Sequence, residues 1–139
     1  MPKSEFKPAL VIDATNAILG RLASYVAKQS LLGKKIAVVN CSKAVISGKR
    51  RRIIEEYKEI RAKGSAALKG PFFPKHPDKI IKRTIRGMLS YKKGRGKEAF
   101  KRIRCYNEIP KELEKAKKIK AGKEKKTKTI KLSDLSSNI

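Results

Sequence analysis

A chain of 139 residues with 37 Lys+Arg against 12 Asp+Glu carries a formal charge of +25 and a pI near 10.4, and 40% hydrophobic content is enough for one core. That length excludes two comfortable domains, and that charge calls for a polyanionic partner. No apolar run approaches the ~18 residues of a transmembrane helix, and the apolar residues 9–12 are halted by Asp13, so neither a membrane span nor a signal peptide is read and a soluble intracellular protein is expected.

The run ALVI at residues 9–12 has the pattern of a strand buried on both faces, and Asp13, Thr15 and Asn16 after it supply turn and helix-cap chemistry. Leu19, Leu22, Ala23, Val26, Ala27 and Leu31 then recur at helical spacing. They predict a helix of about three turns, with Gly33 where a left-handed C-terminal residue is wanted. IAVV at residues 36–39 is a second buried strand, so the first forty residues read as a right-handed βαβ unit.

Val45 and Ile46 form a third, brief β-branched pair, followed by Ser47-Gly48 and the cations Lys49, Arg50, Arg51 and Arg52 at a loop-to-helix junction. The next helix places Ile53, Ile54, Tyr57 and Ile60 on one face, offers Arg52/Glu56 and Glu59/Lys63 as i,i+4 pairs, and is expected to end at Gly64. Residues 64–77 hold two glycines and three prolines around Phe72 and Phe73, which predicts an ordered loop with aromatic anchors. Asp78 is then placed to cap the following helix.

Residues 79–104 carry the electrostatic weight. Lys79, Lys82, Arg83 and Arg86 fall at i, i+3, i+4 and i+7 on one helical side, with Ile81, Ile85, Met88 and Leu89 on the other. Beyond a glycine hinge at Gly94-Arg95-Gly96, Lys97, Lys101 and Arg104 repeat the spacing, opposite Ala99, Phe100 and Ile103. Residues 82–104 hold ten Lys or Arg, Lys92, Lys93 and Arg102 among them, and one acid, Glu98. An ordinary solvated face mixes signs to limit self-repulsion; this one does not, and so it reads as an anion-binding face.

Residues 103–106 read as the last strand, and a Lys/Glu-rich helix is expected from Lys111 onward. Residues 1–115 are taken as one domain and 116–139 as a basic C-terminal tail. That tail has too few apolar residues for a core of its own, so it is expected to order mainly against its partner. Residues 127–132 alternate Thr, Ile and Leu with Lys, which allows a strand once something pairs with it.

Enzyme readings fail one by one. Gly94-Arg95-Gly96-Lys97-Glu98-Ala99 fits GxGxxA but follows a basic helical stretch where a dinucleotide fingerprint needs a buried strand. A P-loop would need Gly at Lys43 and Ser or Thr at Arg50. The sole histidine, His76, has no acid or nucleophile near it in sequence and reads as a loop residue. Cys41 and Cys105 lack metal-ligand spacing and read as reduced, buried, small apolar residues. No catalytic residue, cofactor, metal or small-molecule substrate is expected. Basic patches interleaved with glycine are what phosphate contact requires, and Tyr57, Tyr91, Phe72 and Tyr106 could stack on unpaired bases. Three classes remain open on the residues alone: an RNA-binding structural protein, a general nucleic-acid-compacting protein, and a nucleotide- or RNA-modifying enzyme resting on the weak GRGKEA match.

LGRLAS at residues 19–24, VVNCSKAVISGKR at 38–50, GPFFPKHPDKIIKRTIRGML at 70–89 and RGKEAFKRIRCYNEIP at 95–110, in this order and spacing, resemble ribosomal large-subunit protein thirteen in its archaeal and eukaryotic branch. The resemblance spans about residues 10–110. It implies a three-layer α/β/α domain on a mostly parallel four-stranded sheet, bound to large-subunit rRNA beside neighbouring ribosomal proteins, acting in architecture and assembly, cytoplasmic, and not a homo-oligomer. It carries RNA contact to Arg21, Lys43, Lys49, Arg83, Arg86, Lys92, Arg95, Lys101 and Arg102. With Arg50, Arg51, Lys79, Lys82, Lys93, Lys97 and Arg104 from the charge pattern, these are the candidate RNA-binding residues. Two positions depart from the family's pattern: Ser90 stands where Pro usually follows GML, removing a rigid exit from the helix, and Glu108 where Gly often precedes Ile-Pro.

Overall fold

The computed structural model describes residues 8–62, 74–120 and 128–139. In chain order the elements are β1 (Leu10–Asp13), α1 (Leu19–Leu31), β2 (Ile36–Val39), β3 (Val45–Ser47), α2 (Arg50–Ala62), α3 (Pro77–Gly87), α4 (Gly94–Lys101), β4 (Ile103–Cys105), β5 (Lys118–Lys120), β6 (Thr129–Lys131) and α5 (Leu132–Asn138). Short 3-10 turns lie at Cys41–Lys43 and Lys111–Leu113.

The main sheet has the order β4-β2-β1-β5, and each neighbouring pair is parallel. Residues in β1 and β2 alternate between two cores. Ile12, Ile36 and Val38 pack with Leu22, Ala23 and Val26 of α1 and Ile80, Ile81 and Ile85 of α3, while Val11, Ala37 and Val39 pack with Leu113, Tyr106, Ile109 and Ala116. Both faces are covered, which is why these strands read as unbroken apolar runs. Helices α1, α3 and α4 make one layer, the sheet the second, and residues 106–117 a thin third. The chain is thus a three-layer α/β domain.

Several local expectations are corrected. The third β-branched pair, Val45-Ile46, lies in a separate two-stranded sheet, antiparallel to β6, and the fourth strand of the main sheet is β5, a segment not read as a strand. The 103–106 strand is therefore not the last. The Lys/Glu-rich helix expected from Lys111 onward is a single 3-10 turn among the described residues up to Lys120, where Leu113 joins the second core and the chain then extends into β5.

The described part of the C-terminal segment lies on the domain. Ile130, Leu132 and Leu135 join the main core, with Leu132 and Leu135 wholly buried. They complete a core built elsewhere.

Cap chemistry also differs. Asp13 accepts from the Thr15 backbone N–H at 3.0 Å and hydroxyl at 2.6 Å, making the turn, but α1 begins after Ile18 with no side-chain cap. The position before α3 is His76, with Pro77 at its first turn, so Asp78 sits inside the helix; its own N–H donates to Asn107 Oδ1 at 2.9 Å. Gly33 has φ +96, as its position after α1 requires.

Burial shifts at helix ends: Leu31, Ile60 and Met88 are exposed, and Ile80 takes the core place expected of Met88. The Arg52–Glu56 pair forms at 3.3 Å and Arg51–Glu55 joins it at 3.2 Å. The Glu59/Lys63 pair, the Gly64 stop and the Phe72-Phe73 loop lie outside the described residues.

Candidate nucleic-acid interface

Helix α3 forms because Pro77 at its first turn has a φ suited to entry and the isoleucines at 80, 81 and 85 share one stripe. Burying that stripe leaves Lys79, Lys82, Arg83 and Arg86 on the side away from the core. These four, with Pro74 and Phe100 of α4, line a cleft of about 270 Å³. Among the described residues no acid lines it. The Lys82 ammonium lies 5.2 Å from the Phe100 ring centroid.

Continuing along the same edge, the Arg86 guanidinium lies 4.8 Å from the Tyr91 ring centroid and the Lys92 ammonium 5.9 Å. Leu89, Ser90, Tyr91, Lys92 and Lys93 shape a smaller, more apolar hollow of about 210 Å³. The turn between α3 and α4 is closed by Leu89 N–H to the Arg86 carbonyl at 3.1 Å and Lys93 N–H to the Ser90 carbonyl at 3.2 Å. Gly96 packs on this turn so tightly that an added Cβ would lie 2.2 Å from the Ser90 carbonyl oxygen. Ser90 therefore leaves the path compact although Pro is absent. The glycines expected as a hinge belong to the first turn of α4 instead.

A third cleft, about 280 Å³, is lined by Leu31, Leu32, Gly33, Arg95, Glu98 and Arg102. Here the arginines have a structural duty. Arg102 donates to the Ser30 carbonyl at 3.0 Å, which also accepts from the Gly33 N–H at 3.0 Å, and Arg95 donates to the Leu31 carbonyl at 3.5 Å, so both bind the C-terminal end of α1. Sequence spacing gave no sign of that role, because the two ends are more than sixty residues apart in sequence.

The other candidate cations are dispersed. Lys97 and Lys101 are exposed on α4, with Lys101 3.9 Å from Glu98. Arg104 is exposed on β4 and so does not continue the α4 face, which ends at Lys101. Arg21, Lys43 and Lys49 are exposed on α1, on the 3-10 turn and before α2. None of these three, nor Arg50 or Arg51, lines any of the three clefts. Arg50 makes a two-pronged pair with Asp134 of α5, Nε to Oδ2 at 2.9 Å and Nη2 to Oδ1 at 3.2 Å. Hydrogen bonding to Arg50 holds the Asp134 carboxyl below its ordinary value and raises the Arg50 guanidinium.

At the carboxyl end of the sheet, Asp13 also accepts from Asn40 Nδ2 at 3.1 Å. Partial burial opposes its charge, yet hydrogen bonds from Thr15 and Asn40 prevail and hold its pKa below the ordinary value. Cys41 and Cys105 are free thiols; Cys41 is buried and Cys105, expected to be buried, is half-buried. The neighbouring Cys105 thiol and burial push the Cys41 thiol up, leaving it protonated and inert. Burial likewise raises Tyr57, which packs against the core. Tyr91 is half-buried as well, with Arg86 and Lys92 over its ring. His76 is exposed. Among the described residues no group of three metal-ligating side chains occurs, and no helix is long and apolar enough to cross a membrane.

Residues 7–112 match the sequence model of a family described as Ribosomal protein L13. Similar proteins include a large ribosomal subunit protein uL13 of Methanosarcina barkeri, 57% identical over 74% of this chain and 74% of its own. The uL13 protein of Haloarcula marismortui is 48% identical over 76% of this chain and 72% of its own. That of Methanocaldococcus jannaschii is 49% identical over 132 residues, 93% of this chain and 96% of its own. A match of that length runs past residue 115 and takes in part of the segment that carries β5 and β6.

Proposed function

The chain belongs to the ribosomal protein L13 family, and from that premise we propose that it binds large-subunit rRNA, stabilises its packed helices and supports assembly of the subunit. As a ribosomal large-subunit protein of this family it is not an enzyme, and its place is the cytoplasmic ribosome. The observation that carries the RNA reading is the cleft in which Lys79, Lys82, Arg83 and Arg86 converge from one helix with no acid among the described residues that line it. Phosphates and 2′-hydroxyls presented by folded RNA are the ligands such a surface suits, read by shape more than by sequence.

The dispersed cations Arg21, Lys43, Lys49, Lys97, Lys101 and Arg104 supply peripheral phosphate contacts in this reading. The exposed Lys117, Lys120, Lys128 and Lys131 extend the cationic surface into the C-terminal segment. The protein acts as a single copy beside neighbouring ribosomal proteins. Filter binding of a structured large-subunit rRNA fragment, competed with duplex DNA, tests the proposal. Retention of the rRNA complex against excess duplex DNA is expected; equal competition by DNA would assign the protein to general nucleic-acid compaction instead.

A further inference from the structure

The cleft between α3 and α4 is more than a cluster of charges. Its lining joins an aromatic ring, Phe100, and Pro74 to the four cations Lys79, Lys82, Arg83 and Arg86. Paired RNA keeps its bases inside the duplex and offers phosphates and 2′-hydroxyls at the surface, so a duplex would engage the cations and leave the aromatic ring idle. An unpaired nucleotide would use both, its base stacking on the ring and its phosphate meeting the cations.

Size agrees. At about 270 Å³ the cleft is of the order of the ~300 Å³ at which pockets for small ligands begin, room enough for a single base. The cation now lying over Phe100 is Lys82, whose flexible four-carbon stem can swing its ammonium from the ring to a phosphate. The cleft beside α1 is built differently, since Arg95 and Arg102 are engaged by backbone carbonyls there and Glu98 lines it.

We propose that the α3/α4 cleft is a nucleotide-sized site that accepts one extruded, unpaired base of RNA on Phe100, with Lys79, Lys82, Arg83 and Arg86 holding its phosphates. The proposal rests on the rRNA-binding reading and deepens it, assigning one position where the protein reads a single-stranded element.

The test uses the full chain and two probes, a single-stranded oligoadenylate of about eight nucleotides and an RNA duplex of about 16 base pairs. Phe100→Leu keeps an apolar side chain against the core but removes the stacking face, and Phe100→Tyr keeps both. The Leu variant is expected to bind the single strand roughly five-fold or more weakly while its duplex affinity is unchanged, and the Tyr variant to bind like the parent. Photocrosslinking of the parent to oligoadenylate, which is independent of how the variants fold, should place an adduct on the peptide carrying Phe100. Equal loss for both probes, no loss for either, or an adduct absent from that peptide would overturn the site while leaving RNA binding intact. If the parent bound neither probe, the RNA-binding reading itself would fall, and the site with it.

Discussion

The Arg86 guanidinium lies 4.8 Å from the centroid of the Tyr91 ring, joining the last turn of α3 to the loop that leads into α4. The contact fixes one of the four cleft cations at the point where the chain leaves its helix. A cation over an aromatic face at a partly exposed site is worth about 0.5–1 kcal/mol. A double-mutant cycle with Arg86→Gln and Tyr91→Leu, followed by urea denaturation, is expected to return a coupling of about that size. A coupling indistinguishable from zero would show that Arg86 is positioned by other contacts.

Gly96 makes a second, sharper prediction. An added methyl would sit 2.2 Å from the Ser90 carbonyl oxygen, a backbone atom that moves only with the whole turn. Gly96→Ala should therefore destabilise by about 2–3 kcal/mol, in the upper part of the range for overpacked sites. Gly20→Ala provides the opposite sign. Gly20 lies in α1 with nothing within 4 Å of an added Cβ, and the substitution should stabilise by about 0.5–1 kcal/mol. Thermal melts of the two variants decide both.

Leu135 and Leu132 are wholly buried in the main core although they lie near the end of a polar, lysine-rich segment. Truncation of either to Ala should cost about 2–5 kcal/mol, the usual range for a buried leucine. A free tail would lose nothing measurable by the same change. Chemical denaturation of Leu135→Ala separates the two cases.

The contrast between those leucines and the α1 region marks what the sequence made legible. Residues 10–39 were readable because each element there declares itself within a few positions: two apolar runs covered on both faces, one helical stripe, and a glycine at φ +96. The α3 cations were legible for the same reason, since helical spacing alone puts Lys79, Lys82, Arg83 and Arg86 on one side. Long-range relationships left no local mark. Nothing in KIK at residues 118–120 says that it lies beside β1, and nothing in TIK at 129–131 says that β3 is its partner. The second duty of Arg95 and Arg102, closing the end of α1, was hidden likewise, because a cation read as exposed in sequence can be aimed at a carbonyl by the fold. Phe100 had its place on the apolar side of α4 correctly read, but its role in lining a cleft needs α3 beside it.

The pair between Arg50 and Asp134 predicts a pH dependence with a definite sign. The Asp134 carboxyl is held below its ordinary value of 3.8, chiefly by hydrogen bonding to Arg50. Its contribution to stability is therefore present above that value and is lost as pH falls through the lower, folded-state pKa. Asp134→Asn should melt below the parent at neutral pH, by a modest amount because both groups are solvent-exposed, and the gap should close under acidic conditions and shrink with added salt. A gap that persisted unchanged under acid would assign the effect to the side-chain amide and not to charge.

Salt-dependent binding tests the central claim, that the face carried by α3 and the start of α4 grips rRNA. The measurement is the affinity for a structured large-subunit rRNA fragment across a salt series, for the parent and for a variant with Lys79, Lys82, Arg83 and Arg86 all changed to Gln. Each phosphate contact contributes about 0.7–0.9 to the slope of log affinity against log salt. Loss of four should flatten that slope by about 3 and weaken binding most at low salt. An unchanged affinity and slope in the quadruple variant would contradict the assignment and move the RNA interface to another face of the protein.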